Sequence, residues 1–206
     1  MFDDTYKTIA APSEGIYSEK RSKFIAYAFP VTSEQEVKQR LVEIQKEHWD
    51  ARHHCYAYIL GPNKDAYRMN DNGEPSGTAG RPIHGQLLSK DLTDILLIVV
   101  RYFGGIKLGV SGLQNAYKVA AKEALDNAKI IEKTVQEKYR VTFEYLHMNE
   151  VMQILKNPEI TIVDRQSDMQ CVYTIMVRLS IADKTISALQ KIDQTMVERV
   201  LQASMI

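Results

Sequence analysis

The stretch from Asp94 to Gly112 constrains the fold of this chain more than any other part of its sequence. It runs Asp-Ile-Leu-Leu-Ile-Val-Val-Arg-Tyr-Phe-Gly-Gly-Ile-Lys-Leu-Gly-Val-Ser-Gly. The apolar run from Ile95 to Val100 is typical of a strand buried on both faces, and the residues after Gly112 follow a helical pattern. A basic, glycine-rich loop between a strand and a helix usually presents backbone N–H groups to an anion. The stretch therefore predicts a binding site for phosphate or a polyanion.

The composition limits the class of protein. A chain of 206 residues with 45% hydrophobic residues can bury a core in one large domain or two small ones. Its formal net charge is +0, so affinity for a polyanion must come from a local patch. The only cysteines, Cys55 and Cys171, offer neither a disulfide framework nor a thiolate metal cluster. With no apolar leader and no run long enough to span a bilayer, we expect a cytoplasmic protein without a membrane span.

The glycine content differs between the two ends of the chain, which predicts two domains. All the glycines lie at or before Gly112. We place the domains at residues 1–132 and 137–206, separated by a polar, unpatterned segment near residues 131–137. The elements predicted for the first domain are a strand from Ser22 to Val31, a helix from the capping box Ser33–Glu36 to about Trp49, a strand from Ala51 to Leu60, a weak helix through Ile83, Leu87 and Leu88, a buried strand from Ile95 to Phe103, and a helix from Leu113 to Ile130.

The second domain has the element order strand, helix, strand, strand, helix, strand. Its elements are predicted at Tyr139 to Tyr145, Val151 to Leu155, Ile160 to Val163, Met169 to Leu179, Ile186 to Ile192 and Val197 to Leu201. The βαββαβ order is that of a ferredoxin-like sandwich. The predicted fold class is therefore α+β.

The glycines after the buried strand match neither familiar nucleotide-binding motif. Gly104 and Gly109 have the spacing of a P-loop, but Val110 stands where its lysine is required. The dinucleotide pattern G-x-G-x-x-G is absent, so no cofactor is expected. The alternative is that these glycines only form a tight turn between strand and helix.

Charge favours a phosphate site. Between Ile95 and Lys122 the sequence contains basic residues but no acidic one, and the same holds from Pro75 to Lys90. A guanidinium at the end of a buried strand can bind phosphate with two parallel hydrogen bonds, although Arg101 could instead form an ion pair with Asp71 or Glu74. The lysines of the following helix could equally form a solvated face. The predicted phosphate or nucleic-acid-binding residues are Arg81, Arg101, Gly104, Gly105, Lys107, Gly109 and Lys118.

The segment Arg52-His53-His54-Cys55 does not predict a metal site. Adjacent side chains of a strand point to opposite faces, so only His53 and Cys55 could share an ion, and a third ligand would have to come from elsewhere. His54 lies on the other face with Tyr56 and Tyr58, where these rings could stack on bases or pack under a helix. We expect no bound metal.

The polar loop from Asp71 to Thr78 offers an enzymatic alternative. His54 could act as a base towards Ser76 or Thr78, with Glu74 as a further polar group. No nucleophile-elbow pattern supports this, and the loop could simply be a turn whose polar side chains bond its own backbone. We therefore assign no catalytic residue and lean towards a non-enzymatic protein.

Two segments together resemble the signature of the IMPACT family, in its two-domain bacterial branch. They are Asp71-Asn-Gly-Glu-Pro-Ser-Gly-Thr-Ala-Gly-Arg-Pro and Val100-Arg-Tyr-Phe-Gly-Gly-Ile-Lys-Leu-Gly. The signature residues in this chain are Asp71, Gly73, Glu74, Pro75, Ser76, Gly77, Thr78, Arg101, Gly104, Gly105 and Gly109. The resemblance implies a first domain of the ribosomal-protein domain 2-like α/β sandwich type, also found as domain IV of elongation factor G. It implies a second domain like the last domain of that factor.

The resemblance also implies an association with RNA or the translation apparatus, since eukaryotic relatives regulate translational initiation. Our first hypothesis is thus a non-enzymatic binder of RNA or of a ribosomal site. A second is a hydrolase-like enzyme that uses the loop from Asp71 to Thr78 on a small phosphorylated or peptide substrate. A third is a protein-interaction module in translational stress control.

Overall fold

The computed structural model describes residues 4–200, which form strands and helices. In chain order they are β1 (Thr5–Ile9), β2 (Ser13–Glu19), β3 (Ser22–Pro30), α1 (Glu34–Glu47), β4 (His53–Leu60), β5 (Ala66–Asn70), α2 (Gly80–Ser89), β6 (Ile95–Tyr102), α3 (Gly109–Asp126), β7 (Ile130–Thr134), β8 (Gln136–Phe143), a 3₁₀ turn (Tyr145–His147), α4 (Met148–Leu155), β9 (Ile160–Ser167), β10 (Cys171–Arg178), α5 (Leu179–Leu189) and β11 (Met196–Arg199). They group into two units. One is Tyr6–Lys133, and the other comprises residues 134–200 together with residues 4 and 5.

The first unit is built on a five-stranded sheet with the order β2-β3-β6-β4-β5, in which every neighbouring pair is antiparallel. Helix α1 covers one face, and α2 and α3 cover the other. Alternate residues of β6 therefore enter different cores. Ile95, Leu97 and Val99 pack with α2 and α3, whereas Leu96, Ile98 and Val100 pack towards α1. Burial on both faces explains why this strand is apolar without alternation.

Helix α3 packs closely on the sheet through small side chains. Ala116, Ala120 and Ala124 are fully buried. A Cβ atom added to Gly15 of β2 would lie 2.3 Å from the backbone nitrogen of Ala124, so only glycine fits there. A small-residue interface of this kind brings helix and strand backbones together.

The second unit has a four-stranded sheet with the order β11-β8-β10-β9 and antiparallel pairing throughout. Residues of α4 and α5, such as Val151, Leu155 and Leu189, share one core with the sheet. With the chain order β8-α4-β9-β10-α5-β11, this is the ferredoxin-like arrangement. The predicted α+β fold class is confirmed in both units.

Several element boundaries differ from the sequence-based prediction. Strands β1 and β7 pair as a separate two-stranded sheet, and β2 pairs with β3; none of the three was predicted. Residues 131–137, predicted as an unpatterned segment, form most of β7 and the start of β8. Their side chains are exposed or only partly buried, so they carry no hydrophobic alternation, and the pairing rests on backbone hydrogen bonds. Within residues 4–200, no helix is long and apolar enough to cross a membrane.

Candidate functional site

One end of the five-stranded sheet brings the two signature segments together. Arg101, near the end of β6, pairs with Phe24 of β3 on one side and with His53 of β4 on the other. The loop between β5 and α2 reaches the same place, because the backbone N–H of His54 donates to Asn72 Oδ1 at 2.7 Å. We call this the Arg101 end of the sheet. It comprises residues 19–23, 48–53, 71–79 and 101–108.

A buried ion pair joins the two segments. Arg101 Nη1 lies 2.6 Å from Glu74 Oε1, and only 6% and 4% of these side chains are exposed. The same oxygen accepts a hydrogen bond from the Tyr117 hydroxyl at 2.8 Å. The guanidinium lies 5.5 Å from the ring centre of Phe24 and 5.4 Å from that of Phe103. Of the two roles considered for Arg101, the structure thus shows an ion pair, and its partner is Glu74.

Asp71 fixes the loop to the start of α2. Its Oδ1 accepts from the backbone N–H groups of Ala79 and Gly80 at 2.9 and 2.8 Å, and its Oδ2 accepts from Gly77 at 2.9 Å. Burial alone would raise the pKa of this carboxyl group, but the three N–H donors outweigh it, and the pKa is lowered. Asp71 therefore acts as a capping group for α2.

The cysteine beneath this loop is not set up as a nucleophile. The Cys55 thiol donates to the carbonyl oxygen of Asp71 at 3.0 Å and lies 3.4 Å from the Tyr117 hydroxyl. Burial raises the pKa of Cys55 to about 12, so the unreactive thiol form is present near neutral pH.

The residues considered for catalysis do not come together. His54 faces α1, where its Nε2 lies 3.1 Å from the carbonyl oxygen of His48, and burial lowers its pKa. Glu74 lies on the α3 side of the sheet with Tyr117. Thr78 is buried and its hydroxyl donates to the carbonyl oxygen of Pro75, while Ser76 is exposed. The loop thus bonds its own backbone, and His54 lies on the far side of the sheet from Glu74.

The predicted glycines form the turn that leads into α3. Gly104 approaches the β2–β3 hairpin so closely that a Cβ atom would lie 2.1 Å from the carbonyl carbon of Arg21. Gly105 and Gly109 have φ values of +83° and +73°. Helix α3 begins at Gly109 with no side-chain cap and no acidic residue in its first turn. Its first N–H groups are therefore available to an anion.

The predicted cations are exposed but only partly gathered. Lys107 lies in the turn before α3, and Arg81 lies in the first turn of α2, next to the signature loop. Lys118 lies about two and a half turns into α3, away from the Arg101 end. Among residues 4–200, none of these three side chains forms an ion pair.

The structure adds residues to this end that the sequence did not single out. Lys20 and Arg21 form the tip of the β2–β3 hairpin, and Lys23 pairs with Tyr102. Trp49 and Arg52 lie between α1 and β4. The sequence signals for these residues were two basic residues between strands and a single tryptophan after a helix. Only the strand order of the sheet brings them to the same end.

Comparison with known proteins finds a matching family model, similar sequences and a similar solved structure. The family model described as the Impact N-terminal domain matches residues 20–125 of this chain. The chain is 35% identical over 155 residues to the IMPACT family member YvyE of Bacillus subtilis, covering 75% of this chain and 71% of that protein. It is 34% identical over 175 residues to the IMPACT family member YigZ of Escherichia coli, covering 84% and 85%. A crystal structure of a hypothetical protein aligns with a TM-score of 0.74 and 27% identity, covering 96% of this chain and 98% of that one.

Proposed function

The chain belongs to the IMPACT family, and we propose that it is a non-enzymatic protein that binds RNA, free or within the ribosome, and takes part in the regulation of translation. The observation that carries the proposal is the grouping of unpaired cations around an uncapped helix start at the Arg101 end. The role in translation follows from what the family resemblance implies. The binding surface follows from charge and geometry.

The cations at this end are free to contact a ligand. Lys20, Arg21, Lys23, Arg52 and Lys107 are all exposed, and none forms an ion pair within residues 4–200. Lysine and arginine bind RNA mainly through its phosphates, which gives affinity that falls steeply with salt and selects weakly for sequence. The formal net charge of +0 makes this a local property of the surface.

Arg101 contributes to this surface indirectly. Its buried pairing with Glu74 neutralises a carboxylate that would otherwise repel phosphate, and it holds the signature loop against β6. We therefore assign direct phosphate contacts to Lys107, the backbone from Gly104 to Gly109, and Lys20, Arg21 and Lys23 of the β2–β3 hairpin, with Arg81 in the first turn of α2 as a further contact. Lys118, about two and a half turns into α3, is left out of the proposed contact.

A labelled RNA of about a dozen nucleotides tests the proposal by fluorescence anisotropy at about 50 and about 200 mM salt. We expect the affinity to fall with salt, as for other proteins that contact several phosphates. Lys107→Glu should weaken binding and make the slope of log affinity against log salt shallower by about 1. Lys38→Glu is the matched control, because Lys38 is an exposed, unpaired lysine near the opposite end of α1.

Two results would contradict the proposal. One is an affinity for RNA that does not depend on salt. The other is equal weakening by Lys107→Glu and Lys38→Glu, because that would show a general effect of net charge and no defined surface.

A further inference from the structure

Trp49 is the only tryptophan of the chain, and 81% of it is exposed. The residues on either side of it are fixed. His48 is buried, with its Nε2 2.7 Å from the Tyr27 hydroxyl and its Nδ1 2.8 Å from the Tyr102 hydroxyl. The Tyr102 hydroxyl also donates to Asp50 Oδ1 at 3.1 Å. The large ring of Trp49 thus projects into solvent from a well-anchored backbone, and no core contact within residues 4–200 accounts for it.

Two cations, Lys23 and Arg52, lie at the same end of the sheet as Trp49. Lys23 pairs with Tyr102, whose hydroxyl contacts the residues that flank Trp49. Side chains alternate along β3, so Lys23 shares the α1 face with Ile25, whereas Phe24 faces α3. Arg52 follows Trp49 in the same connection and is exposed. Lys23 and Arg52 therefore lie at the same end of the sheet as Trp49.

The tip of the β2–β3 hairpin holds basic residues in a backbone conformation that is unfavourable for them. Lys20 and Arg21 have φ values of 45° and 66°, a left-handed conformation that two-residue hairpins normally fill with Asn-Gly. Residues held in such a conformation often serve a function. Here they place two exposed cations beside the Gly104 turn.

The carboxylates near Trp49 limit where phosphates can lie. Asp50 is bonded to Tyr102, and Glu47 Oε1 lies 3.8 Å from His48 Nε2. Glu47 precedes Trp49 at the end of α1, and Asp50 follows it, so carboxylates flank the tryptophan along the chain. A polyanion would therefore run along the hairpin side, with only an uncharged part of the ligand over the tryptophan ring.

We propose that the Arg101 end binds single-stranded RNA, with one base stacked on Trp49 and the adjacent phosphates on the cations of the β2–β3 hairpin, Lys20, Arg21 and Lys23. This inference rests on the proposed function and specifies its ligand. A ring that projects from a loop can stack only on a base that is itself unstacked. In a duplex each base face is covered by its neighbours. A duplex would therefore contact this surface through its phosphates only.

Because Trp49 is the only tryptophan, its fluorescence reports on this contact directly. We expect a single-stranded RNA of about a dozen nucleotides to change Trp49 emission with the same midpoint as the anisotropy. The same RNA annealed to its complement should bind more weakly and leave the emission unchanged. Trp49→Ala should weaken single-strand binding about tenfold or more, and Trp49→Phe should retain part of the affinity. Tyr145→Ala is the control, because Tyr145 is a similarly exposed aromatic residue, at 75%, in the other unit.

The outcomes separate this inference from the proposed function. Salt-dependent binding that Lys107→Glu weakens, with Trp49 emission unchanged and Trp49→Ala at wild-type affinity, overturns the stacking and leaves RNA binding in place. An equal change of emission with duplex overturns the single-strand preference. If neither form binds at low salt, both proposals are wrong.

Discussion

At the scale of single residues, the Arg101 end separates buried charge from exposed charge. Arg101 and Glu74 are both buried and paired, and within the described part of the chain Arg101 Nε has no hydrogen-bond partner. A buried charge that loses its partner pays the full desolvation penalty, whereas an exposed pair contributes little. The signature positions Arg101 and Glu74 are thus tied to folding, and the unpaired cations around them are free for binding.

Replacing Glu74 by alanine tests this division. We expect Glu74→Ala to lower the free energy of unfolding by roughly 3–5 kcal/mol, because Arg101 is left buried without a counter-ion. Urea denaturation followed by circular dichroism measures the loss. The control is Glu43→Ala, which removes the exposed 2.7 Å pair with Arg40 and should change stability by less than about 1 kcal/mol. Similar losses in the two variants would show that the buried pair is not structurally important.

We expect substitutions at the hairpin tip to raise stability and to weaken RNA binding. Asn at position 20 and Gly at position 21 suit two left-handed residues, so Lys20→Asn with Arg21→Gly should raise the free energy of unfolding by about 1–2 kcal/mol. The same double variant should weaken RNA binding, because it removes two cations. Denaturation and anisotropy on one preparation measure both effects, and Lys38→Asn serves as the control. A variant that gains stability while binding RNA as well as wild type would exclude the hairpin from the interface.

At the scale of elements, the signature loop and α2 depend on one carboxylate. Asp71 accepts from the N–H groups of Gly77, Ala79 and Gly80, so Asp71→Ala should cost about 1–2 kcal/mol at pH 7. Its pKa is lower in the folded state than in the unfolded chain, so its stabilisation is present above the unfolded pKa and is lost as pH falls through the folded one.

The difference in stability between wild type and Asp71→Ala should therefore shrink as the pH falls below about 4. Denaturation at a series of pH values measures it. Asp65→Ala is the control, since Asp65 is exposed and has no hydrogen-bond partner in the described chain. A difference that stays constant from pH 7 to pH 3 would show that the charge of Asp71 is not what stabilises the cap.

Elements with a strong hydrophobic pattern could be predicted from the sequence, and elements without one could not. The buried strand β6 was predicted because both of its faces enter a core, and α1 because its N-cap Ser33 accepts from Glu36 N–H at 3.3 Å. Strands β1 and β7 have mixed or exposed side chains and form by pairing across more than a hundred residues. The same limit applied to the site. The ion pair of Arg101 and Glu74 was expected as an alternative. Trp49 and the hairpin lie at the same end of the sheet only because of the strand order, which the sequence did not show.

At the scale of the whole molecule, the described chain starts in one unit and returns to it after completing the other. Residues 4 and 5 group with residues 134–200, whereas Tyr6–Lys133 form the first unit. We propose that the two units are separate domains, and that the second one includes the start of the described chain. Asp4 supports this. Its carboxylate accepts from Arg178 Nε and Nη2, both at 2.8 Å, and from the backbone N–H of Ser180 at 3.0 Å, in the first turn of α5.

Asp4→Asn tests both the domain division and the role of this carboxylate. Hydrogen bonds from Arg178 and Ser180 lower the pKa of Asp4, so its charged form stabilises the fold at neutral pH. We expect the variant to exchange amide hydrogens faster in β8, β10 and α5, and at the wild-type rate in β3, β4 and β6, as measured by mass spectrometry. Asp164→Asn, an exposed position on β9, should leave both regions unchanged. Faster exchange in both units of Asp4→Asn would show that they unfold as one cooperative body, and the proposed division into two domains would then be wrong.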